Sequence, residues 1–386
     1  MTGWPTKYLT EICRPRQWRT ISQAEFTETG YPVYGANGRI GYYSQYNHEH
    51  ATLLITCRGA TCGTLNLSVP KAYVTGNAMA LDDLSESVDL QFLYYALKHR
   101  GFHDVISGSA QPQITGEGLR KVRVPVPPLD EQRRIVDQLS RADGIVHLRH
   151  QAQQKAAALI PALCADMFGD PATNPKGLPI RTVRELVARF EGGKNLQAAS
   201  EGSTDYRILK VSAVTSGGYI EAESKPTPDD YEPPSNHIVR EGDMLFSRAN
   251  TEQLVGATAV VRSTNGRTLL PDKLWRFVWA EPVEQAFMHA LFQSAHVRQE
   301  LGKLSSGTSA SMRNISQAKL FELRLPVPPL AQQSVFARHA EGMLSIQSQQ
   351  ALALEKATAT FDALLARAFS AERAADAVHE VEGAIA

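Results

Sequence analysis

Residues 122–133 read Val-Arg-Val-Pro-Val-Pro-Pro-Leu-Asp-Glu-Gln-Arg, and residues 323–334 read Leu-Arg-Leu-Pro-Val-Pro-Pro-Leu-Ala-Gln-Gln-Ser. The offset of 201 residues continues through Leu163/Leu364, Ala165/Ala366 and Phe168/Phe369. Each copy is a short apolar strand, a proline-stiffened bend and then a long run with few Pro or Gly breaks. So long a period indicates a duplicated domain with a helix attached, not a solenoid of small repeats. The duplication also reaches upstream. Residues 3–12 and 177–186 share Gly, Pro, a basic residue and Glu at an offset of 174, so the second copy carries about 27 more residues in its middle.

The 386 residues suggest two to three domains, and 43% hydrophobic with 21% charged residues is ordinary for a globular protein. No apolar run approaches the ~20 residues of a membrane span, and the N-terminus lacks the apolar stretch of a signal peptide. A cytoplasmic protein with no membrane association is therefore expected. Four cysteines (Cys13, Cys57, Cys62, Cys164) are too few for a disulfide scaffold. Net charge is zero, which does not favour a nucleic-acid binder but leaves room for segregated charge.

The middles have diverged. In the first, Tyr31–Tyr43 reads as two strands around an Asn37-Gly38 turn. Ala51–Cys57 is a buried strand ending at Arg58-Gly59-Ala60, Lys71–Leu81 continues the β pattern, and Asp89–Lys98 is helical. In the second, Tyr206–Val211, Met244–Ser247, Thr258–Arg262 and Leu274–Val278 read as strands, and Arg248-Ala249-Asn250 is matched to Arg58-Gly59-Ala60. Pro226, Pro228, Pro233 and Pro234 mark a surface loop without a counterpart.

A helix starts after each Pro-Pro-Leu. Asp130 and Glu131 suit the positive end of the first helix dipole. Apolar and small residues recur at spacings of three and four, from Ile135 to Leu163 and from Phe336 to Leu365, giving an imperfect coiled-coil stripe. Each helix is expected to run ~38 residues, about 57 Å. The first globular part ends where helix one starts and the second begins where it stops, so to bury its stripe helix two must run back. The expected fold class is α+β: two globular α/β domains in tandem, separated by an antiparallel pair of long coiled-coil helices with pseudo-two-fold symmetry. The expected segments are 1–129, helix 130–169, 170–330, helix 331–370 and tail 371–386.

Catalytic signatures are absent: no GxxxxGK[ST], GxSxG or HExxH occurs, nor an Asn- or Asp-Pro-Pro-aromatic motif. His48, His50, Cys57 and Cys62 fit no common zinc spacing and are read as strand residues. The Pro-Val-Pro-Pro segments are structural corners before polyproline ligands. More specific are the loops Ser107–Gln113 and Ser306–Asn314, in equivalent places. Small hydroxyl residues admit a phosphate, and Gln, Asn and Arg can read base edges.

With these features together the chain resembles the specificity subunit of type I restriction–modification systems. The resemblance rests on the tandem strand–PVPPL–x-x-Gln–helix units, the Ser/Gly loop before each, and the Tyr-Pro-Val-Tyr-Gly-Ala-Asn-Gly-Arg-Ile-Gly-Tyr-Tyr stretch. It implies two target-recognition domains, each reading half of a bipartite site on double-stranded DNA. It implies also that the helices act as a ruler and dock two methyltransferase subunits. Those partners bind S-adenosylmethionine and methylate adenine at N6; this chain binds no cofactor or metal and is not itself catalytic. Translocating restriction subunits join where the system cleaves. Expected DNA contacts are Asn37, Arg39, Tyr42, Arg58, Lys71, Asn77, Ser109, Gln111 and Gln113 in the first domain. In the second they are Lys194, Lys210, Arg248, Asn250, Lys273, Arg276, Ser309, Arg313 and Asn314. The alternative is a coiled-coil scaffold joining two protein-binding modules.

Overall fold

A computed structural model of the chain describes residues 4–36, 38–108, 111–196, 205–228, 231–309 and 312–370. Two compact units result: residues 1–151 with 352–386, and residues 152–351. Each takes in a share of both long helices, so the units do not divide where the expected segments do.

The first unit is organised around the strand Leu53–Thr56, buried along its whole length. It pairs antiparallel with Ala78–Asp82 and Leu65–Leu67, and Arg14–Gln17 completes a four-stranded sheet on the far side of Ala78–Asp82. Leu53 and Ile55 face one apolar cluster and Leu54 another, which is why four successive residues are apolar rather than alternating. A second sheet holds Gly38–Tyr43, Tyr31–Gly35 and Tyr73–Val74, the last pair parallel. The hairpin expected in Tyr31–Tyr43 is thus present.

The second unit repeats this frame. Val187–Gly192, Leu274–Trp279, Met244–Ser247 and Thr258–Val260 form its four-stranded sheet, and Ser224–Pro226, Arg207–Leu209 and Thr268–Leu269 its three-stranded one. The strand orders correspond one for one, including the single parallel pair in the smaller sheet. The duplication seen in the proline-rich repeats therefore extends through the diverged middles.

In each unit the strand before the proline bend pairs with an N-terminal strand: Arg123–Pro125 with Thr6–Tyr8, and Arg324–Pro326 with Ile180–Thr182. Val126 donates its N–H to the Pro5 carbonyl at 2.8 Å, and Val327 to that of Pro179 at 2.9 Å. The recurring Glu is explained too. The Glu11 carboxylate accepts from the Tyr8 N–H and that of Glu185 from the Thr182 N–H, closing the first turn of a short helix in each copy.

The glutamine three residues past each Pro-Pro-Leu leucine fixes the long helix to its unit. Gln132 is completely buried. Its Oε1 accepts from the Asp89 N–H at 2.8 Å, and its Nε2 donates to the carbonyls of Ser87 (2.9 Å) and Pro127 (2.7 Å). Gln333 repeats the pattern, accepting from the Glu284 N–H at 3.0 Å and donating to the Pro328 carbonyl at 2.9 Å. Asp89 and Glu284 are the residues immediately before the helices Leu90–Arg100 and Gln285–Gln293. The proline segments are structural corners whose carbonyls are served by a side chain.

The second long helix is unbroken from Leu330 to Phe369. The first is not: it runs Leu129–Ala157 and resumes as Leu159–Phe168. Pro161 is the cause, since it offers no N–H to Ala157 and its ring crowds that carbonyl. A continuous 38-residue helix was expected here, and the proline corrects it. Within the first unit, Ile135 and Leu139 at the start of helix one cluster with Phe361, Leu365 and Phe369 at the end of helix two. Within the second, Cys164 and Phe168 at the end of helix one cluster with Phe336 and Ala340 at the start of helix two. The antiparallel sense is thus present in each unit taken alone. No described helix is long and apolar enough to cross a membrane.

Replacing Gln132 with Ala takes its partner from the buried Pro127 carbonyl and from the part-buried Asp89 N–H and Ser87 carbonyl. The first unit should lose about 3 kcal/mol, read as a shift of its transition in urea, while Gln333→Ala shifts that of the second.

Candidate nucleic-acid interface

In both units the Ser/Gly loop is added, as a small β-hairpin, to the end of the central strand. In the first, Gln113 bridges both Ser107 and Arg58, and the Gly59 N–H donates to the Pro112 carbonyl at 3.0 Å. In the second the same arrangement is a regular three-stranded sheet of Ala249–Asn250, Met312–Asn314 and Ser306–Ser309. Gly108 and Gly307 make these turns possible: a Cβ would lie 2.5 Å from the Gln111 carbonyl oxygen at one and 2.2 Å from that of Met312 at the other. The sequence suggested loops. In the second unit, pairing with Ala249–Asn250 makes them strands, while in the first they make isolated bridges.

Several further segments meet this end of the first unit. Thr56 Oγ1 donates to the Ala36 carbonyl at the hairpin turn, and Gln17 Nε2 donates to the Gly76 carbonyl at 3.0 Å. Cys57 Sγ is 3.4 Å from the Asn77 carbonyl oxygen. Arg58, Asn77, Gln111 and Gln113 are all exposed and gathered here. Arg39 is exposed beside the turn, with its guanidinium 5.5 Å from the centre of the half-buried Tyr42 ring. Lys71 is not part of the group. It precedes Tyr73–Val74 at the end away from Gly76, and its ammonium is 3.9 Å from Glu49. Asn37 and Ser109 lie outside the described residues, as does the side chain of Ser309.

The second unit gathers a more cationic set. Arg248 Nε donates to the Asp272 carbonyl at 2.8 Å, and its guanidinium lies 5.5 Å from the centre of the Trp275 ring. The Arg248 N–H donates to the Lys273 carbonyl at 3.1 Å, and the Gly193 N–H, next to exposed Lys194, donates to that of Pro271 at 3.1 Å. Asn250 pairs with Arg313 and Ala249 with Asn314. Arg313 Nη1 donates to the Gly307 carbonyl at 3.2 Å, bracing the hairpin from within. Lys210 follows the Arg207–Leu209 strand with its ammonium 3.9 Å from Glu223. Among the described residues no ion pair involves Arg39, Arg58, Lys194, Arg248 or Lys273. Of these, Arg39, Arg58 and Lys194 are exposed and Arg248 and Lys273 half-exposed; cations without a carboxylate partner suit phosphate, and the neighbouring amides suit base edges.

Two expectations are corrected. Arg276 is only 5% exposed and belongs to the core. Its Nη1 donates to Asp243 (2.8 Å) and the Ile238 carbonyl (3.0 Å), its Nη2 to Glu191 (2.7 Å) and the Asn236 carbonyl (2.7 Å). With these donors spent, it is not available to DNA. The second concerns the alignment of the copies. Thr56 pairs with Ala78 as Ser247 pairs with Leu274, and the N–H groups of Ile114 and Ile315 donate to the carbonyls of Cys57 and Arg248. Arg248 therefore corresponds to Cys57, and Arg58 to Ala249. In extended chain a one-residue slip moves a side chain to the opposite face, so the two arginines are not equivalent.

Sequence reasoning also missed Arg298 and Lys303, on the helix Ala295–Leu304. With Glu252, Gln253 and Arg313 they line a cavity of about 600 Å³ beside the hairpin. Arg298 Nη1 and Arg313 Nε are buried there with no acceptor among the described residues. Buried N–H groups of this kind normally have a partner. Neither residue stands in a sequence pattern that announces this; the helix brings Arg298 in from outside the hairpin. No cluster of metal-binding side chains exists among the described residues.

Residues 1–157 match the family model described as Type I restriction modification DNA specificity domain. The EcoEI specificity subunit of Escherichia coli is 27% identical over 194 residues, 49% of this chain and 33% of that one. The MjaVIII specificity subunit of Methanocaldococcus jannaschii is 20% identical over 326 residues, 79% of this chain and 76% of that one. The chain thus spans only a third of the length of the first relative. Among solved structures, the type I S subunit from M. genitalium superposes with a TM-score of 0.59 over 96% of both chains at 16% identity, a likeness of fold.

Arg276→Ala takes from the half-buried Asp243 carboxylate its cation and from Glu191 one of two, Arg189 remaining. The second unit should lose roughly 3–5 kcal/mol, seen in chemical denaturation, with the first unit's transition unmoved.

Proposed function

We propose that the chain is a type I restriction–modification specificity subunit and that it reads a bipartite target on double-stranded DNA, one half with each unit. The observation that carries this reading is the matched frame with unmatched ends. Both units present a hairpin beside the central strand, yet one offers Arg58, Asn77 and Gln113 and the other Arg248, Asn250, Arg313 and Asn314. Arg, Asn and Gln would hydrogen-bond base edges, while Lys194, Lys273 and Arg298 would hold phosphates and set register. Phosphate contacts from these few cations are compatible with zero net charge, since the sign of the local surface decides.

In this reading the chain does no chemistry. It directs two adenine-N6 methyltransferase subunits, docked on the long helices, and these carry the S-adenosylmethionine. Restriction subunits complete the assembly where cleavage occurs, in the cytoplasm. The helices would set the spacing of the half-sites, about one turn of DNA apart or ~34 Å for readers on one face.

The test is a footprint and affinity series on duplexes carrying both half-sites, either half-site, or neither, with the methyltransferase present. Arg58→Ala should weaken binding about 10–100-fold wherever the first half-site is present and leave the second half-site's contribution unchanged. Equal loss on every duplex, target or not, would reduce Arg58 to a phosphate contact. A chain that binds no duplex at all would return the scaffold reading.

A further inference from the structure

The turns Thr75-Gly76-Asn77 and Pro271-Asp272-Lys273 hold corresponding places, each leading into the strand that pairs with the central one. The carbonyls of Gly76 and Asp272, at the middle of each turn, are both capped by a side chain, but from different strands. In the first unit the donor is Gln17 of the edge strand Arg14–Gln17, with Nε2 3.0 Å from the Gly76 oxygen. In the second unit the matching edge residue is Gly192, which pairs with Trp275 as Gln17 pairs with Met79. A Cβ at Gly192 would lie 3.0 Å from Trp275 Cδ1, so the indole takes the space of an edge side chain. The donor is instead Arg248, directly after the central strand Met244–Ser247, with Nε 2.8 Å from the Asp272 oxygen.

The two caps leave different groups over. Gln17 Nε2 also lies 3.1 Å from Cys57 Sγ, so its amide is turned into the turn. A guanidinium that spends Nε keeps both Nη groups, all donors and no acceptor. The plane of this one is held from several sides. Nε is fixed on Asp272, and the buried Trp275 ring has its centre 5.5 Å from the guanidinium carbon. The Arg248 N–H donates to the Lys273 carbonyl at 3.1 Å, and its carbonyl accepts from the Ile315 N–H at 2.9 Å, tying it to the turn and to the hairpin at once. The side chain remains half-exposed. A phosphate can be held by a cation in many orientations, as exposed Lys194 could hold one, whereas a base edge is read by a fork of fixed plane.

Resting on the reading that the second unit binds one half of a DNA target, we propose that Arg248 determines specificity for one guanine of that half-site, its Nη1 and Nη2 donating to O6 and N7 in the major groove. Guanine is the base whose major-groove edge shows two adjacent acceptors. Adenine sets a donor beside its acceptor, thymine a methyl group, and cytosine offers a donor. A fork made only of donors matches the first and leaves a group unpaired, or opposed by another donor, on the rest. The first unit has Cys57 at this place, completely buried, and its turn is held by Gln17 instead. The same frame therefore offers a guanine reader in one unit and none at that position in the other.

The experiment uses the full chain with its methyltransferase subunit, on duplexes carrying the target mapped from methylated adenines in host DNA. Each guanine of the target is replaced in turn by 7-deazaguanine, which lacks N7, and by hypoxanthine, which keeps O6 and N7. At one position 7-deazaguanine should weaken wild-type binding about tenfold while hypoxanthine is tolerated. Arg248→Met, which keeps the packing on Trp275 but has no donor, should weaken binding to the intact target and no longer distinguish 7-deazaguanine from guanine at that position. Arg248→Ala takes its place if the methionine variant does not fold. A target in which no guanine responds overturns the proposal, as does a responding guanine to which both variants stay equally sensitive. Equal weakening by the variant on every duplex, target or not, also overturns it and makes Arg248 a phosphate contact. In all three cases the DNA reading itself stands; a wild-type chain that binds no duplex overturns that reading and this proposal with it.

Discussion

Everything in this fold hangs from two buried glutamine amides. A bend built from Pro127-Pro128 or Pro328-Pro329 contributes no N–H groups; the carbonyls of Pro128 and Pro329 accept from the first turn of the helix, and those of Pro127 and Pro328 from a side chain. Gln132 and Gln333 supply the missing donors, and with the same amide accept the N–H that precedes a neighbouring helix. A leucine would leave all these groups dry, and a glutamate could accept but not donate. Only an amide of this length joins a proline corner, a long helix and the body of its unit at one point.

Much of this was legible in the sequence because it is local. Proline bends, a two-strand stretch around Asn37-Gly38 and a periodic apolar stripe are properties of neighbouring residues. What escaped depends on distant pairing. Arg14–Gln17, with little apolar content, and Val187–Gly192, with apolar Val187 and Phe190 broken by Arg189 and Glu191, are edge strands received by Ala78–Asp82 and Leu274–Trp279. Arg276 looked free because its carboxylates, Glu191 and Asp243, lie 85 and 33 residues away. The mismatch of Arg58 with Arg248 had the same origin: similarity of letters suggested one register, and the hydrogen bonds fix another.

Comparing the copies residue by residue separates frame from content. Arg16 pairs with Ala80 where Glu191 pairs with Arg276, so a buried ion pair in the second unit replaces a small apolar contact in the first. There, the Arg16 guanidinium rests 4.1 Å from the Trp18 ring centre, outside the core. Such exchanges alter charge and shape on and beneath the sheet without moving its strands. A scaffold held from its base can tolerate this, because the hairpin ends are not asked to hold the fold.

The base itself has a genetic consequence. Beyond the proline bend, the hydrogen bonds of the Gln132 side chain go to main-chain atoms of the first unit, at Ser87 and Asp89, and that part of the unit is entered and left through two paired strands, Thr6–Tyr8 and Arg123–Pro125. Main-chain groups are common to all sequences. A gene segment spanning the stretch between those strands can therefore be replaced by recombination, and the joint will close on any insert that folds to the same helix start. The strand pair acts as a seam, and the segment between its two strands becomes a removable part of the protein.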